Sequence, residues 1–122
     1  MKSLNVLVFC TGLIATYFFA ASAVAEENGE AIFNKNCGGC HAGGKNIIET
    51  NKTLSKAHLQ ENERFSLEAI QNIVKNGYGA MPSFSGQLDE ADIKAVAQYV
   101  MDKATEHATQ YPEAKPENGW QP

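Results

Sequence analysis

Apolar positions along this chain form one continuous run followed by spaced stripes. Leu4 to Ala21 is apolar with few interruptions, preceded by Lys2 and followed by Ala23-Val24-Ala25, a small-x-small cleavage pattern before Glu26. The run is barely long enough to span a bilayer, so the pattern predicts a cleaved secretory signal over residues 1–25 rather than a retained anchor. Beyond it the spacing becomes helical. Gly29, Ile32, Phe33 and Asn36 recur every three or four residues and predict a first helix from Asn28, a good N-cap, to Cys40. Gly29 inside that helix costs about 1 kcal/mol relative to Ala. A close crossing, with a partner backbone against the missing side chain, would offset the cost. A short helix is expected around Ser55 to Gln60. The next should open at Ser66, with Glu68 in its first turn, and close at Asn76-Gly77, burying Leu67, Ile70, Ile73 and Val74. The last begins at Asp89, where Glu90 and Asp92 suit the helix dipole, and Ile93, Val96, Ala97, Val100 and Ala104 give it a clean 3.6-residue period. No stretch alternates with period two long enough to argue a sheet, so the chain reads as all-α.

The segments between these stripes are polar or rich in glycine. Residues 42–64 are expected to be mostly loop, with Ala42-Gly43-Gly44 turning the chain and His58 exposed on the short helix. Residues 77–86 form a second loop, in which Met81 is the only sulfur and Pro82 fixes the backbone just after it. After Ala104 the chain turns polar, with Pro112, Pro116 and Pro122. The sequence therefore divides into a signal (1–25), one small domain (26–106) and a C-terminal tail (107–122). That tail should be mobile and His107 solvated, with Trp120 the one residue suited to fold back.

Charge narrows the partners. The 122 residues carry 10 Lys and Arg against 14 Asp and Glu, a net charge of −4. Loss of Lys2 with the signal makes the balance one unit more negative. Such a surface argues against nucleic acid and permits docking on a basic protein surface. A core this small is marginal unless something else fills it.

Asn36-Cys37-Gly38-Gly39-Cys40-His41 supplies the candidate filler. Cys10 leaves with the signal, so the mature chain keeps only Cys37 and Cys40, followed directly by His41. Cys-x-x-Cys-His is the attachment signature of a c-type haem. On one helical turn the two thiols sit at i and i+3, facing one side, where they can form thioethers to two vinyl groups of one porphyrin. His41 then lies under the iron as proximal ligand. A thioredoxin-like pair would want a βαβ setting, a structural zinc site needs four ligands, and a simple disulfide gives His41 no role. Met81, on a loop free to reach over the other haem face, is the candidate distal ligand. Its rival Met101 sits within the last helix, which sets its position.

Taken together, Gly29-Glu30 to Phe33, Asn36 to Gly44, Lys52-Thr53-Leu54, Asn76-Gly77, Ala80-Met81-Pro82 with Phe84, Leu88 and Tyr99-Val100 resemble the cytochrome c6 family over residues 28–104. The resemblance implies a class I cytochrome c fold, four to five short helices wrapped around one covalently bound haem c. It implies a soluble electron carrier of the thylakoid lumen, or of a periplasm. Its partners would be the cytochrome b6f complex and photosystem I, with a terminal oxidase as another acceptor, and the cleaved protein would not insert in a membrane. The chain departs from the family pattern at three places. Ile73 stands where relatives usually carry Gln, Gln87 where they usually carry Arg, and Gly119-Trp120 is displaced by a Pro-containing extension. These departures keep a c6-like paralogue of lower potential open. A haem enzyme or sensor would need an open distal site, and a ligated Met81 would close it. No nucleophile–base pair or paired carboxylates argue for other catalysis, so the expectation is a carrier and not an enzyme.

Overall fold

The computed structural model describes the backbone of residues 20–122 and the side chains from Asn28 onward. The expected signal therefore falls almost wholly outside the described residues. Five helices follow in order: α1 Ala20–Asn36, α2 Gly38–His41, α3 Lys56–Glu61, α4 Leu67–Asn76 and α5 Glu90–Gln110. Short 3-10 turns occupy Ala42–Gly44 and Pro116–Asn118. Among the described residues there is no strand, only an isolated bridge between Tyr78 and Met81.

The caps explain where the later helices begin. Ser55, Ser66 and Asp89 each accept a hydrogen bond from a backbone N–H in the following first turn, from His58, Ala69 and Asp92 respectively. Gly77 closes α4 through its N–H to the Ile73 carbonyl. The first helix differs from expectation at both ends. It does not start at Asn28 but continues back to Ala20, because Ala20–Glu27 holds no helix breaker and is rich in the best helix former. It also does not reach Cys40 unbroken: Cys37, ahead of Gly38-Gly39, interrupts α1 and α2. The hydrogen-bond ladder nevertheless carries on, from the Cys37 N–H to the Phe33 carbonyl (2.8 Å) and from the His41 N–H to the Cys37 carbonyl (2.9 Å).

The core forms where α1 crosses α5, with α3 and α4 also packed on α5. Every position of the predicted α5 stripe is buried, Val96 and Ala97 almost completely (1% and 0% exposed). On α4, Ile70 and Val74 are buried while Leu67 and Ile73 are half-buried. Gly29 sits at the α1–α5 crossing, and a Cβ there would lie 2.5 Å from the Ala95 carbonyl oxygen. The glycine is thus the residue that lets the two backbones approach, as the sequence suggested.

The C-terminal segment is not loose. α5 runs on to Gln110, past the expected end near Ala104, since Ala, Glu, Lys and Gln are good helix formers and the first proline comes at Pro112. The chain then folds back so that Trp120 packs against Phe33 (ring centroids 5.2 Å apart) and Tyr99 (5.9 Å). His107 is half-buried rather than solvated, with Nε2 2.8 Å from the Gln121 carbonyl and its ring against Tyr111. Polarity and prolines concealed this packing, because a single aromatic anchor decides it.

Candidate functional site

One cleft of about 290 Å³ gathers the sequence candidates. Cys37, Cys40, His41 and Met81 all line it. α1 ends at its edge, and the α1–α2 break brings Cys37 into a buried position while leaving Cys40 exposed. Both thiols are free. Burial, with Cys40 beside it, pushes the Cys37 thiol up to about 11, so it is a protonated thiol at neutral pH. Phe33, Leu59, Ile70, Val74, Val96 and Val100 give the inner part of the cleft an apolar lining.

His41 is oriented by its own loop. Its Nδ1 lies 2.8 Å from the Lys45 carbonyl oxygen, which can only accept, so Nδ1 carries the proton and the Nε2 lone pair is left for a metal. The loop is shaped by the Lys45 N–H on the Ala42 carbonyl (3.2 Å). Met81 is fixed through its backbone, which exchanges two hydrogen bonds with Tyr78, both 3.0 Å. The same loop is tied to the end of α4 by the Phe84 N–H on the Val74 carbonyl (2.9 Å) and by the Ser83 hydroxyl on the Lys75 carbonyl. The rival Met101 packs against the core on α5 and is not among the cleft-lining residues. Ile73, half-buried, does line the cleft.

Several cleft residues were not legible as such. His58, expected to be exposed, is 9% exposed and lines the cleft. Its Nδ1 lies 3.2 Å from the Thr53 N and 2.9 Å from the Thr53 hydroxyl. No apolar periodicity marks it; the available signal was its place in the first turn behind the Ser55 cap, on a helix too short to show a stripe. Asn46 also lines the cleft, and its Oδ1 accepts the Ile48 and Glu49 N–H groups (3.0 and 2.9 Å), a local turn that Asn commonly builds. Lys52 and Arg64 sit over the exposed Tyr78 ring at 5.8 and 5.3 Å from its centroid.

Two free thiols, an imidazole with an open Nε2, a loop thioether and an apolar lining together suit a covalently attached haem c. Among the described residues no three His, Cys, Asp or Glu side chains gather as a site for a lone metal ion.

Comparison with known proteins points the same way. Residues 24–100 match the family model described as Cytochrome C oxidase, cbb3-type, subunit III. The chain is 44% identical to cytochrome c6 of Nostoc sp. (strain PCC 7120) over 106 residues, covering 85% of this chain and 96% of that protein. Its fold is similar to the crystal structure of cytochrome c6 from the diatom Phaeodactylum tricornutum (TM-score 0.65, 41% identity, 66% of this chain and 95% of that one). It is also similar to cytochrome c6C from Synechococcus sp. PCC 7002 (TM-score 0.63, 38% identity, 65% and 96%). The fold is therefore that of a class I cytochrome c, and its relatives are electron carriers rather than enzymes. With one haem c as the cofactor its cleft accommodates, the chain belongs to the cytochrome c6 family.

Proposed function

We propose that this chain is an exported, soluble carrier of single electrons between the cytochrome b6f complex and photosystem I in a thylakoid lumen. Cys37 and Cys40 would hold the haem through thioethers, with His41 as proximal and Met81 as distal ligand. Residues 1–25 would be removed on export, leaving residues 26–122. The haem, when bound, supplies a one-electron ferric–ferrous couple. The protein supplies the rest. His41 presents Nε2 because the Lys45 carbonyl holds the Nδ1 proton. The Met81 backbone is held by Tyr78, so its thioether would be presented from a fixed loop. The apolar inner lining would face the bound haem in place of water, which would limit reorganisation when the charge changes. The observation that carries this reading is the convergence of both thiols, His41 and Met81 on one cleft.

Ile48 (60% exposed) and Tyr78 (57% exposed) line the cleft at the surface, with Lys52 and Arg64 beside the tyrosine. This rim offers an apolar contact flanked by Arg64 and by Lys52, the latter paired with Glu49. A second reading, a family member of lower potential serving another acceptor such as a terminal oxidase, is favoured by the aliphatic Ile73 in the cleft.

The test is optical and kinetic. Oxidised holoprotein should show the weak long-wavelength band of Met-to-ferric-iron coordination, and Met81→Ala should abolish it and admit cyanide or carbon monoxide faster. Flash excitation of photosystem I membranes should oxidise the reduced protein. Wild type that binds carbon monoxide at once refutes the distal assignment, and a protein that photosystem I cannot oxidise refutes the partner.

A further inference from the structure

The segment beyond α5 is built into the loops that frame the cleft. The Trp120 N–H donates to the Gly43 carbonyl (2.8 Å), and the Trp120 indole N–H donates to the Leu54 carbonyl (2.9 Å). The Leu54 N–H in turn donates to the Gly44 carbonyl (2.7 Å), so these three segments close a ring of hydrogen bonds. Next to it the Thr53 hydroxyl lies 2.6 Å from the Pro116 carbonyl, to which it donates. The fit is close: a Cβ on Gly119 would lie 2.5 Å from the Gly44 carbonyl carbon, and one on Gly44 would overlap the Trp120 indole.

One member of the ring is the turn that orients His41. Gly43 and Gly44 both have positive φ (61° and 72°), and they lie between His41 and the Lys45 carbonyl that accepts its Nδ1–H. Two consecutive glycines have the largest conformational freedom to lose, and the His41–Lys45 hydrogen bond is exposed to competing water. Left alone, such a turn would open readily. The strap removes that freedom by pinning Gly43 and Gly44 from outside.

We propose that Thr53 and Trp120 are positioning residues for His41, the C-terminal strap holding the Gly43-Gly44 turn so that the Lys45 carbonyl stays on the imidazole Nδ1–H. The inference rests on the reading of His41 as the proximal ligand. It also gives the displaced Gly119-Trp120 a purpose, since the extension after α5 carries the tryptophan back to the haem-ligand loop.

The experiment follows solvent exchange of the His41 Nδ1 proton by NMR in reduced holoprotein. Thr53→Val removes the hydroxyl on Pro116, and Trp120→Phe removes the donor to Leu54 while leaving a ring against Phe33 and Tyr99. Trp120→Phe deletes one hydrogen bond from the clasp, Thr53→Val deletes the Pro116 bond together with the hydroxyl's contacts to Ser55 and His58, and each should speed exchange about tenfold through local opening. Thr53→Ser, which keeps the hydroxyl, should restore the wild-type rate. Asp89→Ala, which removes the N-cap at the far end of α5, should leave exchange unchanged. Exchange unaltered in both clasp variants, or accelerated equally by Asp89→Ala, overturns the proposal. A His41 ring without the shifts of an iron-bound imidazole would overturn the ligand assignment as well. A shifted ring with unaltered exchange would overturn the clasp alone.

Discussion

Replacing Gly29 with alanine puts a methyl group where α5 already stands. The added Cβ would lie 2.5 Å from the Ala95 carbonyl oxygen, 2.9 Å from Tyr99 Cβ and 3.1 Å from the Ala95 carbonyl carbon. Ordinary contacts of this kind begin near 3.4 Å. None of the three atoms sits at the end of a flexible side chain, so relief requires the helices to part by roughly 1 Å. That separation would also loosen the stacking of Phe33 on Tyr99, now 5.4 Å between ring centroids. Overpacking in a well-packed core costs about 1–3 kcal/mol, and the fixed backbone neighbours place this case at the upper end. Alanine returns about 1 kcal/mol through helix propensity. The net expectation is a loss of about 2 kcal/mol, or about 8–16 °C in Tm for a domain of this size. Denaturant unfolding of holoprotein, followed by far-UV circular dichroism, measures it, with the exposed neighbour Glu30→Ala as a near-neutral control. A Gly29→Ala protein as stable as wild type, or more stable, would show that propensity dominates and that the crossing is not close-packed there.

Three further outcomes are expected. Ile73→Gln should raise the midpoint potential by roughly 40–60 mV: an amide N–H directed at the haem or its sulfur ligand favours the ferrous state by roughly 1–1.5 kcal/mol, and a one-electron couple moves about 59 mV per 1.4 kcal/mol. Spectroelectrochemical titration showing no rise defeats that argument. Gln87→Arg, at an exposed position before Leu88, should speed electron transfer to photosystem I with a stronger salt dependence, and flash kinetics unchanged by the substitution would remove this position from the docking surface. In the haem-free chain, iodoacetamide should modify exposed Cys40 well before Cys37, whose thiolate is disfavoured until pH approaches about 11. Because burial disfavours that thiolate in the folded chain, stability is full below the ordinary value of 9.0 and falls as pH rises toward 11. Equal reactivity of the two thiols at pH 8 would contradict the burial.

What the sequence carried and what it concealed have different physical origins. The α4 and α5 boundaries were legible because Ser66, Asp89 and Gly77 are local devices whose side chain or absence of one acts within a single turn. The candidate cysteines and His41 were legible because the Cys-x-x-Cys-His signature has a fixed spacing, and the cleft does gather them with Met81. The Gly29 crossing could be anticipated because a glycine in a helix calls for a compensating contact. His58 escaped because its burial comes from Thr53, whose own place is set by Pro116 some sixty residues later. The fold-back of Trp120 was anticipated, but the order of the rest of the C-terminal strap escaped for the same reason. Its residues are polar and proline-bearing, and its order comes from Trp120 reaching Phe33, Tyr99 and Leu54, contacts distant in sequence that no local period announces.

The central claim is that Cys37 and Cys40 carry haem covalently, and one extraction tests it most directly. Exported holoprotein is treated with acidified acetone, and the two phases are examined for haem. Retention of the colour on the polypeptide, lost from a Cys37→Ala, Cys40→Ala double variant, is the predicted result. Haem passing into the organic phase from the wild-type protein would contradict the account.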